Sequence, residues 1–581
     1  MWIVGWCIKF VSMYKNSKHT ILFPLLLAAG IVLGVMLGQL VGRNRAESQI
    51  RNIVNRSNLQ LNNKIMQTCM LVEHQFVDSI SIDSLSELVI PLMMKELDPH
   101  SVYIPARELQ EVNEPLEGEF DGIGVTFNAL TDTVIVLSVI PNGPSAKAGI
   151  VAGDRIIEVN DTVVAGVKMS QDAIVKRLRG RRGTEVKLSL QRQGIDEMVD
   201  IKVVRDAIPI KSVESAFMVN DDTGFIRLSQ FARTSYEEIM RALFSLRQQG
   251  MKRLIFDLRG NSGGFMDQAI LIANEFLSAG QLIVYTEDRN GKQVKQFTDG
   301  KGESTDIALV VLIDEDSASS SEILAGAVQD NDRGTIIGRR SFGKGLVQSQ
   351  IPYNDGSALR LTIARYYTPT GRSIQKPYKN GDGMDYNMDI VRRYQNNEFF
   401  SADSIHFADS LRFTTPKGKT VYGGGGIMPD VFVPLDTTHI TKYYIEVSGR
   451  NILYRYTIDY ADKHREKLNN VTTIAALDSL FAADKTFFDD FIRYAAKQGV
   501  ARPTSKELAK SRKVIEAQLK AYIGRNTALS DNAFYYNIFP IDNVVHKALE
   551  VIASEPFAAN EQVGTEAESP VATPATIQAE P

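Results

Sequence analysis

The stretch from Ile307 to Gln348 constrains the fold more than any other part of this sequence. It opens with seven consecutive apolar residues, 307–313, and such a run is typical of a strand buried on both faces of a sheet. The serine cluster Ser317-Ala-Ser-Ser-Ser-Glu322 follows, and a short segment of helical character comes next. The pattern predicts a strand that feeds a helix through a hydroxyl-rich turn, where unpaired N–H groups attract negative charge.

The serine cluster allows two interpretations. In the first, Ser319 is the helix N-cap and Glu322 reaches back to it, which is a capping box with a structural role only. In the second, a serine at this turn is a nucleophile. None of the seven histidines lies between residues 101 and 405, so a Ser-His-Asp triad local to this region is excluded. Lys344, flanked by two glycines, is a candidate base if burial lowers its pKa and keeps it neutral.

The same lysine also suggests a nucleotide-binding site. Residues 338–345 match the phosphate-loop pattern except at Gly345, where the pattern requires a Ser or Thr that holds magnesium. A phosphate loop opens a helix, whereas the residues from Leu346 to Pro352 have the pattern of a strand that ends at a proline. In such a strand Gln348 would share a face with Lys344 and could orient its amine. The strand pattern therefore favours the interpretation of Lys344 as a base over its interpretation as part of a nucleotide-binding site.

Three segments of the chain resemble the carboxyl-terminal processing (tail-specific) serine peptidases. They are the serine cluster, Phe342-Gly-Lys-Gly345 with Gln348, and Asp257-Leu-Arg-Gly-Asn-Ser-Gly-Gly264, and the resemblance covers roughly Leu85 to Pro434. It implies a Ser-Lys dyad, with Ser319 as nucleophile, Lys344 twenty-five positions later as base, and Gln348 beside the base. Ser320 stands where the family usually has alanine. The resemblance implies a role for its backbone N–H and none for its side chain.

Gly263 and Gly264 lie where a predicted strand, Arg253–Leu258, gives way to a predicted helix, Met266–Leu277. Their N–H groups can therefore face an oxyanion, together with the N–H of Ser320. The alternative is that both glycines serve only a tight turn.

The N-terminal part of the sequence predicts a membrane anchor. Ile21 to Val41 is an almost unbroken apolar run without a charge, about the length needed to cross a bilayer. Lysines precede the run and favour a cytoplasmic N-terminus, although two arginines follow it. No small-x-small cleavage site ends the run, so we expect an uncleaved signal anchor at 21–42 behind a cytoplasmic leader, 1–20. Met13 is a second candidate for the translation start.

Residues 118–206 resemble a PDZ domain. The resemblance rests on Phe120-Asp-Gly-Ile-Gly-Val125, a strand at Val134–Ile140 and a short helix near Ser170–Leu178. A PDZ domain captures a peptide carboxylate with loop N–H groups and adds the peptide as a strand beside the helix. The residues expected to do so here are Gly122, Ile123, Gly124 and Val125. Taken alone, these residues would be an ordinary glycine turn.

The remaining segments complete a chain that is long enough for three or four domains. Strand and helix patterns alternate from 207 to 440, which implies an α/β peptidase core with a largely parallel sheet and the PDZ domain inserted before it. A helical region is expected at 43–117, where His100 is predicted to be a structural turn residue. A helical C-terminal extension is expected at 441–552, followed by a disordered tail at 553–581 that is rich in Ala, Pro, Glu and Thr.

These features predict a membrane-anchored serine endopeptidase of the bacterial periplasm that cleaves proteins near their C-terminus without metal or cofactor. Its partners would be proteins with a free C-terminus and, through 21–42, the inner membrane; a homo-oligomer is compatible with the sequence. The net charge of −4 gives no reason to expect nucleic acid as a partner. With Cys7 and Cys69 alone, no disulfide framework can form. The alternative is a non-catalytic PDZ scaffold on a peptidase-like fold, against which the intact Ser319, Lys344 and Gln348 argue.

Overall fold

The computed structural model describes residues 64–129 and 133–554, and the chain divides into two compact units, 1–90 and 91–581. In the first unit the described elements are the helix α1, Lys64–Gln75, and the start of α2, Ile82–Lys95. Neither helix has a buried side chain. The predicted leader and anchor lie outside the described residues. Within 64–129 and 133–554, no helix is both long and apolar enough to cross a bilayer.

The second unit continues with β1, Val102–Ile104, and α3, Ala106–Glu117, followed by the segment that resembles a PDZ domain. The elements of that segment are β2 Glu119–Gly122, β3 Val125–Asn128, β4 Val134–Val139, α4 Pro144–Lys147, β5 Arg155–Val159, β6 Thr162–Val163, α5 Gln171–Leu178, β7 Glu185–Gln191, β8 Val199–Val204 and β9 Asp206–Pro209. Strands β3, β4, β5, β7 and β8 form an antiparallel sheet in that order, with β6 on β5. Strands β2 and β9 pair with each other, so the two ends of the segment lie side by side.

The α/β core and its C-terminal extension follow in the same unit. The core elements are β10 Val213–Met218, β11 Thr223–Leu228, α6 Ser235–Gln248, β12 Arg253–Asp257, α7 Met266–Phe276, β13 Leu282–Asp288, β14 Gln293–Phe297, β15 Ala308–Ile313, α8 Ser320–Asp330, β16 Thr335–Gly338, β17 Leu346–Pro352, β18 Ala358–Tyr367, α9 Gly383–Asn387, α10 Asp389–Gln395, β19 Arg412–Thr414, β20 Thr420–Tyr422 and β21 Val431–Phe432. The extension contains α11 Lys442–Gly449, α12 Ile452–Lys463, α13 Arg465–Asn469, α14 Ile474–Ala483, α15 Phe487–Lys497, α16 Ser505–Gly524, α17 Asp531–Ile538 and α18 Asn543–Ser554.

The main sheet has the strand order β10-β11-β12-β15-β16-β21, and every pair except β10–β11 is parallel. This confirms the predicted α/β core with a mostly parallel sheet. The six residues of β15 are all buried, because helices cover both faces. On one face Leu309 and Val311 pack with side chains of α6, α7 and α8. On the other face Val310 and Leu312 pack with side chains of α18.

A second, antiparallel sheet has the order β1-β18-β13-β14, with β17 also paired to β18. The sequence predicted three of these strands but did not indicate that they form a sheet of their own. Helix α8 packs against β13 of this sheet and β16 of the main sheet, and each of its residues is buried. The serine cluster therefore lies between the two sheets, at the N-terminus of a helix with no face open to solvent.

The helical character of the C-terminal extension is confirmed, and α11 to α17 enclose an apolar core of their own. The sequence did not predict the helices α9 and α10, which lie in a long connection between β18 and β21. The residue limits of the domains stay predictions.

Candidate active site

The strand, turn and helix predicted around the serine cluster are present as β15, a turn and α8. Ser319 is the N-cap of α8, and its backbone has φ 55° and ψ −113°. A non-glycine residue with positive φ costs about 1–3 kcal/mol and persists only where the surroundings hold it. Such conformations are concentrated at active sites, and in α/β-hydrolases the nucleophile sits on a strained strand-to-helix turn.

The hydroxyl groups of the serine cluster differ in their partners. Ser317 Oγ donates to Leu258 O at 2.9 Å, Ser320 Oγ to Gly264 O at 2.9 Å, and Ser321 Oγ to Asn261 O at 2.8 Å. These three hydroxyls fasten the serine turn to the neighbouring loop, 258–264. Within the described part of the chain, Ser319 Oγ donates no hydrogen bond. It is therefore the one hydroxyl of the cluster whose proton is not committed.

The loop 258–264 packs its glycines directly against the serine turn. A Cβ added to Gly263 would lie 2.7 Å from Ser319 Cβ, and one added to Gly264 would lie 2.2 Å from Phe231 O, so neither position has room for a side chain. The N–H of Gly263 donates to Asn261 Oδ1 at 2.9 Å. The N–H groups of Gly264 and Ser320 have no acceptor among the described residues. The structure thus leaves two of the three predicted oxyanion donors free and shows the third already engaged.

Lys344 lies two residues before β17, which begins at Leu346 and ends at Pro352 as predicted. A strand here contradicts the phosphate-loop hypothesis, because no helix follows the lysine. The pairing of β17 with β18 shifts register between Val347 and Gln348. The alternation of side chains along a regular strand, on which the prediction for Gln348 was based, is therefore interrupted just before this residue. Lys344 Nζ donates to Gln348 Oε1 at 3.1 Å.

Glu322 joins the serine turn to the lysine. It is fully buried and accepts hydrogen bonds from the backbone N–H groups of Ser319, at 2.9 Å, and Lys344, at 2.8 Å. Burial raises the pKa of Glu322, and these hydrogen bonds, with those from Ser341 and Gly343, oppose the rise. The bond from Ser319 is the reach-back predicted for the capping box. The capping box is therefore compatible with a nucleophile at Ser319, because the same Glu322 that caps the helix also holds the backbone of Lys344.

A cavity of about 490 Å³ brings the predicted residues together, since Ser319, Lys344, Gln348, Gly263 and Gly264 all line it. No hydrogen bond joins Ser319 Oγ to Lys344 Nζ within the described structure. Burial, followed by repulsion from Arg360, lowers the pKa of Lys344, while the negative charges of Glu322 and Asp98 oppose the change. The direction is the one that a neutral lysine base requires.

His100 takes part in the site in a way that the sequence did not predict. Gln348 Nε2 donates to the backbone carbonyl of His100, which leaves Gln348 Oε1 facing the lysine. Asp98 holds this turn, because it accepts hydrogen bonds from the N–H groups of His100 and Ser101 at 2.9 and 3.1 Å, from Ser101 Oγ at 2.5 Å and from Thr362 Oγ1 at 2.9 Å. His100 is thus a turn residue, as predicted, but its carbonyl orients the glutamine.

The His100 ring also packs against α9, in the connection between β18 and β19. Its Nε2 lies 2.9 Å from the hydroxyl oxygen of Tyr386, a buried residue of α9. Burial, with repulsion from Lys344, lowers the pKa of His100 to about 4, so the ring is neutral at ordinary pH. The sequence predicted a turn at His100 and carried no signal for the contact with Tyr386.

Comparison with known proteins identifies the family. The model of peptidase family S41 matches residues 222–388, and the PDZ domain model matches 122–203. The chain is 40% identical over 370 residues to the carboxy-terminal-processing protease of Bartonella bacilliformis, a match that spans 63% of this chain and 82% of that protein. The chain belongs to peptidase family S41, the carboxy-terminal processing proteases.

The chain is also similar to two further C-terminal processing proteases. Carboxy-terminal processing protease CtpA of Bacillus subtilis is 34% identical over 306 residues, 52% of this chain and 65% of that protein. The solved structure of the photosystem II D1 C-terminal processing protease matches with 25% identity and a TM-score of 0.34, over 65% of this chain and 88% of that one. In the C-terminal extension, residues 443–528 match a family of unknown function.

The PDZ domain of this S41 peptidase has a small pocket of about 130 Å³. Gly122, Ile123, Gly124 and Val125 all line it, together with apolar side chains of β3 and α5. The N–H groups of Ile123 and Gly124 have no acceptor in the described chain. Gly124 has φ 75°, which a glycine adopts without strain. The predicted loop therefore combines unengaged N–H groups with an apolar pocket.

Among the described residues of the peptidase, no three His, Cys, Asp or Glu side chains are grouped in a way that could hold a metal ion.

Proposed function

We propose that this S41 peptidase is an endopeptidase with a Ser-Lys dyad, in which Ser319 is the nucleophile and Lys344 the general base. The observation that carries this proposal is the contrast within the serine cluster. Three hydroxyls are committed to carbonyl groups, and the fourth, on a strained turn, opens into a cavity beside a partly buried lysine. Catalytic hydrogen bonds are often long in unliganded enzymes, so the missing Ser319–Lys344 bond does not count against the dyad.

The proposed reaction has two halves. Lys344 takes the proton of Ser319 as Oγ attacks the scissile carbonyl, and then gives it to the departing amine, which leaves an acyl-enzyme. In the second half Lys344 takes a proton from water as the water oxygen attacks the acyl carbonyl, and it then returns this proton to Ser319 Oγ as the C–Oγ bond breaks and the carboxylic acid product leaves. Gln348 keeps the amine in place throughout through its contacts with Lys344 Nζ and the His100 carbonyl. The free N–H groups of Ser320 and Gly264 stabilise the oxyanion, while Gly263 supports the loop.

The dyad is tested with Ser319→Ala and Lys344→Ala, each assayed on a peptide whose fragments are quantified by mass spectrometry. Both variants should lose nearly all turnover, because members of one catalytic unit do not contribute additively. Activity of the unaltered protein should rise with pH as the ammonium of Lys344 deprotonates. A folded Lys344→Ala variant that keeps most of its activity would assign the base to another group.

The second part of the proposal is that the PDZ domain captures the substrate's C-terminus. The support is the loop 122–125, whose unengaged N–H groups suit a carboxylate, beside apolar side chains that suit the last residue of a peptide. Amidation of a good substrate should weaken cleavage about ten- to a hundredfold, because charge-assisted hydrogen bonds worth roughly 1.5–3 kcal/mol are lost. Equal rates for the acid and the amide would remove the PDZ domain from substrate capture.

The third part concerns location. We propose that residues 21–42 anchor the enzyme in the bacterial inner membrane with the catalytic part in the periplasm; the support is the uncharged apolar run without a cleavage site. A reporter enzyme that is active only in the periplasm should be active when it is fused after Glu47, and a reporter that is active only in the cytoplasm should not. A cytoplasmic signal from that position would overturn the topology.

A further inference from the structure

Arg360 is a cation in the catalytic cavity that has no carboxylate partner. It lies on β18, is half-buried and lines the cavity beside Gln350. Its Nη2 donates to Asn113 Oδ1 at 3.3 Å and to Gln350 Oε1 at 3.0 Å, both of which are neutral amide oxygens. No Asp or Glu of the described chain comes within ion-pair distance. Arg233, which lines the same cavity, by contrast pairs with Glu117 at 2.8 Å.

A guanidinium that is partly removed from water normally gains a carboxylate, since burial without a counter-charge is unfavourable. The two amide oxygens occupy Nη2 and hold the side chain in one position. The donors on Nε and Nη1 have no acceptor among the described residues. A planar group with fixed, unengaged donors is well suited to bind a carboxylate through two parallel hydrogen bonds.

We propose that Arg360 is a substrate-binding subsite that takes the carboxylate side chain of an Asp or Glu close to the scissile bond. This inference rests on the proposed protease function and adds a preference for acidic substrates. A side chain is favoured over the substrate's own C-terminal carboxylate, because the PDZ loop offers a separate place for that group. The subsite would act in binding and specificity, not in the chemical step.

Occupation of this subsite has a consequence for the base. Repulsion from Arg360 is, after burial, the second influence that lowers the pKa of Lys344. The other charged or titratable groups that act on or contact Lys344 are Glu322 from α8, Asp98 and His100 from the turn before β1, and Tyr366 from β18, whose hydroxyl donates to the Lys344 carbonyl. A carboxylate bound to Arg360 cancels part of its repulsion, so the pKa of Lys344 rises. With an acidic substrate, the increase of cleavage with pH should therefore occur at higher pH than with the neutral counterpart.

The test uses two series of otherwise identical peptides in which a single Glu or Gln is moved through the residues around the cleavage site. kcat/KM is measured for the unaltered enzyme, Arg360→Gln, Arg360→Lys and, as control, Arg365→Gln. Arg365 lies on the same strand but is exposed and outside the cavity, so the control removes the same charge elsewhere. At one peptide position we expect a preference for Glu of roughly tenfold or more.

Arg360→Gln should abolish that preference, Arg360→Lys should restore part of it, and Arg365→Gln should keep it. The pH dependence of kcat, which reports the enzyme–substrate complex, is measured as well; its rising limb should differ between the Glu and Gln peptides for the unaltered enzyme and coincide for Arg360→Gln. In a background of Ser319→Ala, calorimetric titration should show the same preference in binding, which keeps the test independent of turnover.

A Glu preference that survives in Arg360→Gln, or the absence of any preference at all positions, would overturn the proposal. A preference that follows the free C-terminus of short peptides would show that Arg360 binds the terminal carboxylate, and this too would overturn the assignment to a side chain. Failure of the protease proposal would look different, since the unaltered enzyme would then leave the neutral peptides uncut.

Discussion

The protonation state of Lys344 depends on groups that different parts of the chain bring to its amine. Burial and Arg360 lower the pKa of Lys344, whereas Glu322 and Asp98 raise it. Gln348 is uncharged, and it accepts the hydrogen bond of Nζ without adding a negative charge. An amide at this position thus holds the amine while leaving it free to become neutral.

Gln348→Glu should therefore move the pH dependence of cleavage. A carboxylate beside Nζ favours the ammonium form and raises the pKa of Lys344, so the rising limb should shift to higher pH by roughly one to three units. The measurement is kcat/KM against pH, with Gln348→Ala as the control that loses the contact without gaining a charge. A limb that stays in place in Gln348→Glu would mean that Lys344 is not the group that titrates.

Ser321 is predicted to matter for stability and not for chemistry. Its Oγ donates to Asn261 O, a carbonyl that also accepts from Ala318 N, so Ser321→Ala leaves this carbonyl with one partner. We expect a loss of about 1 kcal/mol in the free energy of unfolding, measured by urea denaturation, with kcat within a few-fold of normal. A loss of turnover as deep as that of Ser319→Ala would contradict the assignment of the nucleophile.

At the scale of elements, the turn between α2 and β1 supports Gln348 and, through it, the base of the proposed dyad. It carries Asp98 and His100, and it is fixed to β18 through the hydroxyl of Thr362. A turn could be predicted here from the sequence, whereas the contact of its His100 carbonyl with a side chain of β17 could not. That contact exists because β1 and β17 both pair with β18.

Asp98→Ala should disturb both the turn and the lysine. Loss of its charge-assisted hydrogen bonds should lower the free energy of unfolding by roughly 2–3 kcal/mol and lower kcat. The remaining activity should have its rising limb at lower pH, because the negative charge that raises the pKa of Lys344 is gone. Thr362→Val, which removes one of these bonds and no charge, should leave the limb unmoved. A limb at higher pH in Asp98→Ala would refute the electrostatic part of this account.

At the scale of the whole molecule, the C-terminal extension completes the core. The face of the main sheet formed by Phe217, Phe225 and Val310 packs against Phe539 and α18. Phe539 is 8% exposed, and its ring centroid lies 5.2 Å from that of Phe217 and 4.8 Å from that of Phe225. The extension therefore covers a sheet face that would otherwise be in water.

Phe539→Ala should destabilise the protein by about 3–5 kcal/mol through lost burial and the cavity left behind. Thermal unfolding followed by circular dichroism measures the effect, and kcat below the transition should stay near normal. Phe244→Ala, at a side chain that is 64% exposed, is the control and should change stability little. An equal effect of the two substitutions would mean that the extension does not support the core.

An ion-pair network links the α/β core to the C-terminal extension, and it predicts that the protein loses stability in acid. Asp257 is fully buried; burial raises its pKa, but Arg259 and Arg227 outweigh this and lower it to about 2. Arg259 also pairs with Asp542, next to α18, at 2.8 Å. Because the folded-state pKa lies below the ordinary value, the stabilisation is complete above about pH 4 and is lost as the pH falls towards 2. Urea unfolding between pH 5 and pH 2 tests this, and a stability unchanged over that range would contradict it.

The sequence by itself determined the local parts of this protein. The apolar run before the serine cluster, the position of Lys344 before a strand and the glycines at 263–264 specify a strand, its turns and the candidate site residues within short segments. Apolar periodicity indicates which face of a helix or strand is buried, and turn residues indicate where the helix or strand ends. These features can therefore be predicted from short segments of sequence.

Only the tertiary structure decided which of these segments meet. The His100 carbonyl reaches Gln348 across 248 positions of sequence, the N–H of Gly263 is taken up by Asn261, and α18 covers the main sheet. No periodicity encodes such contacts, because they depend on how separate elements share strands and faces. Arg360 shows the same limit, since only the arrangement of side chains around the cavity reveals that this cation lacks a carboxylate.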